Sequence, residues 1–191
     1  MTRNKNQGDF NLYYIHGYLS GPNSTKGVLF QKKLNAKAIK YRDCEPEKLI
    51  ISDCVKKIND IIRDDDKPVL IGSSLGGLLA VKAALNNSLI KQIILLNPAI
   101  IPPSFDIKKI KDMPLRILSE MQDPKLFNQK ISSDIIILIG TNDEIVSNNW
   151  GVLFARAQEA TIKFLHDDHS FSNNMNQLPK IIGKYLNKSI N

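Results

Sequence analysis

Six short runs rich in branched and aromatic side chains recur along the 191-residue chain, at 12–15, 36–41, 68–72, 92–97, 134–140 and 161–166. Between them lie stretches with apolar residues at helical spacing. Ser24 or Thr25 offers an N-cap to a helix running to Leu34, with Val28, Leu29 and Leu34 on one face. Pro46 stands in the first turn of a segment in which Leu49, Ile50, Cys54, Ile58, Ile61 and Ile62 recur. Further helices are expected at 75–85, 148–159 and 177–186. Strands that are apolar on both faces, alternating with helices, predict an α/β fold of three layers: a mostly parallel sheet of about six strands with helices on both sides. The alternation breaks between Pro102 and Lys130, where Ile107, Ile110, Leu115, Ile117, Leu118, Met121 and Leu126 form two short helical patterns. Residues 1–191 are therefore read as one domain carrying a small helical cap insertion at 102–130.

Composition narrows the functional classes. Hydrophobic residues at 42% and charged residues at 24% are those of a globular chain that buries a core. The opening stretch MTRNKNQGDFN is polar, with no signal-peptide core, and no apolar run is long enough to span a bilayer, so a cytoplasmic location is expected. Cys44 and Cys54 match neither a redox pair nor a zinc site and are expected as reduced thiols. The net charge of +7 raises the question of nucleic acid, but the lysines are dispersed and no aromatic residues interleave with them, so no nucleic-acid partner is expected.

The stretch VLIGSSLGGLLA, residues 69–80, carries the chemistry. Gly72-Ser73-Ser74-Leu75-Gly76 fits G-x-S-x-G, in which a serine on a tight strand-to-helix turn holds its hydroxyl clear of the sheet. Gly72 and Gly76 flank Ser74 symmetrically, which selects it over Ser73. The spacing suits neither a dinucleotide fingerprint nor a P-loop.

A serine hydroxyl needs a base, and the base needs an orienting acid. Of the three histidines, His169 lies on the loop beyond the last strand, where such a base belongs, and His166 is placed at the strand end. In GTNDEIV, Asp143 is the expected acid, with Glu144 as the fallback. Metal ligation by Asp167, Asp168 and the paired histidines is a lesser alternative, and no metal or other cofactor is expected. An oxyanion hole requires two backbone N–H donors, assigned to Leu75, after the nucleophile, and Tyr18, where Gly17 would allow an unusual backbone; His16 is then a loop-organising residue.

With these residues in place the chain resembles the α/β-hydrolases, and more closely the small YqiA-like esterases. The resemblance rests on YIHGYLSGPNSTKG, similar to the HGF-x-S-x-P-x-S-x-K loop of that family, and on IGSSLGG, LLNPAI, GTNDEIV and HDDHSF in that order. It implies cofactor-free hydrolysis of carboxylic esters or thioesters, with Ser74 as nucleophile, Asp143 as acid, His169 as base, and Tyr18 and Leu75 as oxyanion donors. Leu19 stands where a polar residue is expected, and residues 102–130 do not resemble the family. The expectation is thus a serine esterase or thioesterase acting on a small acyl substrate, with some hydrocarbon character in the acyl group suggested by the apolar insertion. The alternatives are an acyltransferase using the same triad, or a hydrolase-fold binding module whose basic surface recruits an anionic partner.

Overall fold

The computed structural model describes residues 10–186, so most of the polar opening stretch on which the reading of no signal peptide rests lies outside the described residues. Six strands, β1 (Asn11–Ile15), β2 (Lys37–Ile39), β3 (Pro68–Ser73), β4 (Gln92–Leu96), β5 (Asp134–Gly140) and β6 (Thr161–Leu165), form one sheet in the order β2-β1-β3-β4-β5-β6. Every pairing is parallel. Ile15, Gly72, Leu95, Ile137 and Ile162 stand in one row across five strands. The loops after β1, β3, β4, β5 and β6 therefore leave the sheet at the same edge, the carboxyl edge, where open α/β sheets bind ligands.

Alternate strand residues feed opposite faces, as the period of two demands. Tyr13, Ile15, Leu70, Ile93, Leu95, Ile135, Ile137 and Ile139 pack on one side with α2 (Ile51–Ile62), α3 (Leu75–Leu85), α4 (Leu115–Met121), α5 (Lys125–Asn128) and α6 (Asn148–Gln158). Leu12, Tyr14, Val69, Ile71, Ile94, Leu96, Ile136 and Leu138 pack on the other with Phe30 and Leu34 of α1 (Thr25–Leu34) and Leu178, Ile182 and Leu186 of α7 (Leu178–Leu186). The expected three-layer α/β arrangement is the one observed. No helix among the described residues is long and apolar enough to cross a membrane.

Local differences have physical causes. Ser24 caps α1, its hydroxyl accepting from the Gly27 N–H at 3.3 Å. The helix expected from Pro46 is split: Pro46–Lys48 make a separate 3-10 turn, Leu49 turns inward into the core, and α2 begins at Ile51. The Ile51 N–H is capped by Glu120 Oε2 at 2.8 Å. That cap comes from 69 residues further along the chain, so local sequence holds no sign of it. β2 is three residues long, shorter than the 36–41 run, as befits an edge strand.

The 102–130 stretch holds a 3-10 turn at Ile107–Lys109, then α4 and α5. Ile117, Leu118, Met121 and Leu126 are buried in the core on the α3 side of the sheet, and Lys82 of α3 pairs with Asp123 at 2.6 Å. Packing accounts for the apolarity of those four side chains.

Candidate active site

Ser74 joins β3 to α3 with φ 54° and ψ −120°, a backbone conformation costing a non-glycine residue about 1–3 kcal/mol. The surroundings enforce it. The Ser74 N–H donates to Leu96 O at 2.9 Å, and Ser74 O accepts from Ala99 N–H at 3.1 Å and Gly77 N–H at 2.9 Å. Ser73 is buried, within reach of the Tyr14 phenol, whereas Ser74 is partly exposed. The flanking glycines supply space, since none of the described glycines has positive φ. A Cβ on Gly76 would lie 2.1 Å from Ile15 O, and one on Gly72 would lie 2.5 Å from Gly76 O.

The loops after β5 and β6 meet. His169 Nδ1 lies 2.8 Å from Asp143 Oδ2 and 3.0 Å from Oδ1. A carboxylate accepts, so Nδ1 carries the proton and Nε2 is left with its lone pair, the tautomer a general base requires. The Asp143 side chain is 1% exposed and that of His169 18%, so the acid is sequestered and the imidazole reachable. Asp143 Oδ1 also accepts from the N–H groups of Ile145 (2.9 Å) and Val146 (2.8 Å), which fixes the carboxylate independently of the histidine. Glu144 instead reaches the His169 backbone N–H, at 3.4 Å. The other histidine of that loop, His166, sits one residue past β6 with Nδ1 3.5 Å from Thr141 Oγ1.

Ser74 and His169 share no hydrogen bond; they are linked through consecutive residues, Leu96 bonding to Ser74 and Asn97 to His169. The side chains of acids and bases often close onto their partners only when substrate is bound.

The loop after β1 is tied by one carbonyl. Gly17 O accepts from His16 Nδ1 (2.9 Å), Ser20 Oγ (3.3 Å) and Tyr41 Oη (3.2 Å). Arg42 completes the lock, donating to Tyr41 Oη at 2.9 Å and to Ser20 O at 3.1 Å. In a trans peptide the C=O and the following N–H point in opposite directions, so anchoring Gly17 O also sets the direction of the Tyr18 N–H. Gly17 itself does not adopt positive φ. A Cβ there would meet Ser74 Cβ at 3.4 Å, an ordinary van der Waals contact. Leu75 is the first residue of α3, where a helix leaves its N–H without an intrahelical partner.

Residues that sequence reasoning left without a role also shape the site, Tyr41, Arg42 and Asn97 among them, and so does Asp167. Asp167, a lesser metal-ligand alternative, is fully buried and accepts from Asp168 N (3.0 Å), Asn173 N (3.0 Å), Asn174 N (2.8 Å) and Asn174 Nδ2 (2.8 Å). It folds the loop that carries His169. Among the described residues no group of three or more His, Cys, Asp or Glu is placed to hold a metal ion.

His16 gives the loop a pH dependence. Burial lowers its pKa from 6.5 to about 4, against the Gly17 carbonyl, which favours the charged form. The ring stacks on Tyr41 with centroids 4.3 Å apart. A histidine held neutral in the fold but protonated at 6.5 when unfolded contributes stability above pH 6.5, and loses it as pH falls towards about 4. The urea midpoint of the wild type should therefore fall across that window. The gap between wild type and His16→Asn should narrow with it, and a gap independent of pH would refute this origin.

A protein-family model described as "Uncharacterised protein family (UPF0227)" matches residues 11–185. A sequence search of curated proteins finds no match. Among solved structures, Est1E from Butyrivibrio proteoclasticus with ferulic acid bound is similar with a TM-score of 0.76 at 20% identity, covering 97% of this chain and 92% of that one. Alpha/beta hydrolase domain-containing protein 10 from mouse is similar with a TM-score of 0.72 at 18% identity, covering 93% and 90%.

Proposed function

The chain belongs to UPF0227 and has the α/β-hydrolase fold, and from that premise we propose that it is a serine hydrolase cleaving carboxylic ester or thioester bonds. Ser74 Oγ attacks the acyl carbonyl carbon while His169 Nε2 takes the hydroxyl proton, and the carbonyl π pair moves onto oxygen. The N–H groups of Tyr18 and Leu75 stabilise that oxyanion. Asp143 holds the imidazolium that forms. Collapse of the tetrahedral intermediate expels the alcohol or thiol, which receives the proton from His169, and leaves Ser74 acylated. Water, deprotonated by the same imidazole, then attacks the acyl-enzyme and releases the acid. Every step draws on the chain's own groups and on water.

The observation that carries this reading is the two-point contact of Asp143 with His169 Nδ1, on loops leaving the same sheet edge as the strained turn at Ser74. It also favours Asp143 over Glu144 as the acid. Asp143→Asn should lower kcat on p-nitrophenyl acetate by roughly 10⁴-fold, because the amide favours the wrong imidazole tautomer. Glu144→Gln should leave turnover close to wild type. Equal losses in the two variants, or a normal rate in Asp143→Asn, would contradict the assignment. Acyl transfer to an added alcohol faster than to water would identify a transferase running on the same triad.

A further inference from the structure

Asn97 follows β4 with φ 44°, in the left-handed region that asparagine tolerates, and it is 2% exposed. Its side chain is spent on two loops. Nδ2 donates to Asp168 O and to His169 O, both at 3.1 Å, and Oδ1 accepts from the Gly140 N–H at 2.7 Å. Its own N–H donates to Leu138 O at 3.0 Å. The amide orientation follows from its partners, since the flipped amide would set an oxygen against two carbonyls and an NH₂ against an N–H. Gly140 lies three residues before Asp143, and a Cβ there would lie 2.6 Å from Asp168 O, so the His169 loop rests directly on the end of β5. The neighbours of Asn97 hold the third loop, with Leu96 accepting from Ser74 N–H and Ala99 donating to Ser74 O.

We propose that Asn97 is the positioning residue of the site: by donating both amide hydrogens to the consecutive carbonyls of Asp168 and His169 while accepting from Gly140, it sets the distance between the imidazole and the Asp143 carboxylate. The proposal rests on reading Ser74, Asp143 and His169 as a triad. Two adjacent carbonyls converging on one group need a donor with two hydrogens on a short stem. Aspartate keeps the acceptor for Gly140 and tolerates positive φ, but turns both donors into an acceptor facing two carbonyls. Serine keeps at most one donor.

The fold contains its own control. Gln158, also buried, donates through Nε2 to Leu126 O (2.7 Å) and Gln129 O (2.8 Å) and accepts at Oε1 from the Ile131 N–H (3.0 Å). It has the same pattern of bonds, but to the segment before β5 and not to the Asp143 or His169 loops. Gln158→Glu and Asn97→Asp therefore remove equivalent bonds, one away from the site and one within it. Asn97→Ser serves as a second variant where the aspartate does not fold.

Three quantities are measured: thermal midpoint, rate of labelling by a fluorophosphonate, and the low-field proton resonance of the His169 Nδ1–H bonded to Asp143. Both amide variants should lose thermal stability. Only the Asn97 variants should lose or shift the resonance, and their labelling should slow by about 100-fold, the scale of a 1 Å misplacement. A resonance and rate unchanged in folded Asn97 variants would overturn the proposal, as would equal slowing in Gln158→Glu. If the wild type does not label at all, the triad reading fails, and the resonance then decides the positioning role: its loss in the Asn97 variants supports it, and its persistence overturns it.

Discussion

Ser74→Ala should lose at least about 10³-fold in turnover of p-nitrophenyl acetate while melting at the wild-type temperature. The loss follows from the hydroxyl's place in the reaction, because the neighbouring hydroxyl, Ser73, is buried while Ser74 is partly exposed at the strand-to-helix turn. The unchanged stability follows from the backbone. At φ 54° and ψ −120°, alanine bears the same strain as serine, about 1–3 kcal/mol, and the bonds that hold the turn run from the main chain of residue 74. Ser74→Gly extends the test, since glycine occupies that conformation without a Cβ penalty. It should be equally inactive and more stable by about 1 kcal/mol, a rise in Tm of roughly 2–4 °C for a chain of this size. Inactive variants that also melt well below wild type would mean that Ser74 is a structural residue.

Gly76→Ala should have the largest effect on the fold. A Cβ there would lie 2.1 Å from Ile15 O and 2.6 Å from His16 O, and both neighbours are backbone at the end of a central strand. A side chain could rotate away; a paired strand cannot. The cost belongs at the upper end of overpacking, about 3 kcal/mol or more, out of a total domain stability of about 5–15 kcal/mol. The expected fall in Tm is roughly 6–12 °C, and activity should fall with it, because the β1 end that must move carries the loop of Tyr18. Gly183→Ala is the contrast: nothing lies within 4 Å of a Cβ at that helical position, and alanine favours helix, so Tm should hold or rise. A Gly76→Ala protein as stable as wild type would show that α3 can withdraw from β1.

The layered fold was legible because its signals are local. Runs such as DIIILIG and PVLIG have no polar face, which only a strand covered on both sides permits, and the loops between them carry the site. The tight turn at Ser74 was legible for a related reason: its flanking glycines are a requirement of close packing written within five residues. Asp143 and His169 followed from the order in which strands deliver their loops.

What escaped was held together by contacts distant in sequence. The start of α2 depends on a carboxylate from α4, so Pro46 pointed to the wrong first turn. Arg42 and Tyr41 secure the loop after β1 from the far side of α1, and nothing in their own neighbourhood announces it. Asp167 reads locally as a charged loop residue or a metal ligand, yet its four donors make it the internal frame of the His169 loop. Asn97 stood inside a quoted motif, LLNPAI, without a role, since its three bonds join it to residues more than 40 positions away. Gly17 was read as allowing an unusual backbone for the Tyr18 N–H; its φ is not positive, and a Cβ there would make only ordinary contacts.

The central claim is that Ser74 is the nucleophile of a hydrolase. Its most direct test is to treat the intact protein with a fluorophosphonate and locate the adduct by peptide mass mapping. A single phosphonyl group on Ser74 of the wild type, with Ser73 unmodified and no adduct in Ser74→Ala, is the predicted result. An unmodified wild type, or an adduct that persists in Ser74→Ala, would contradict it.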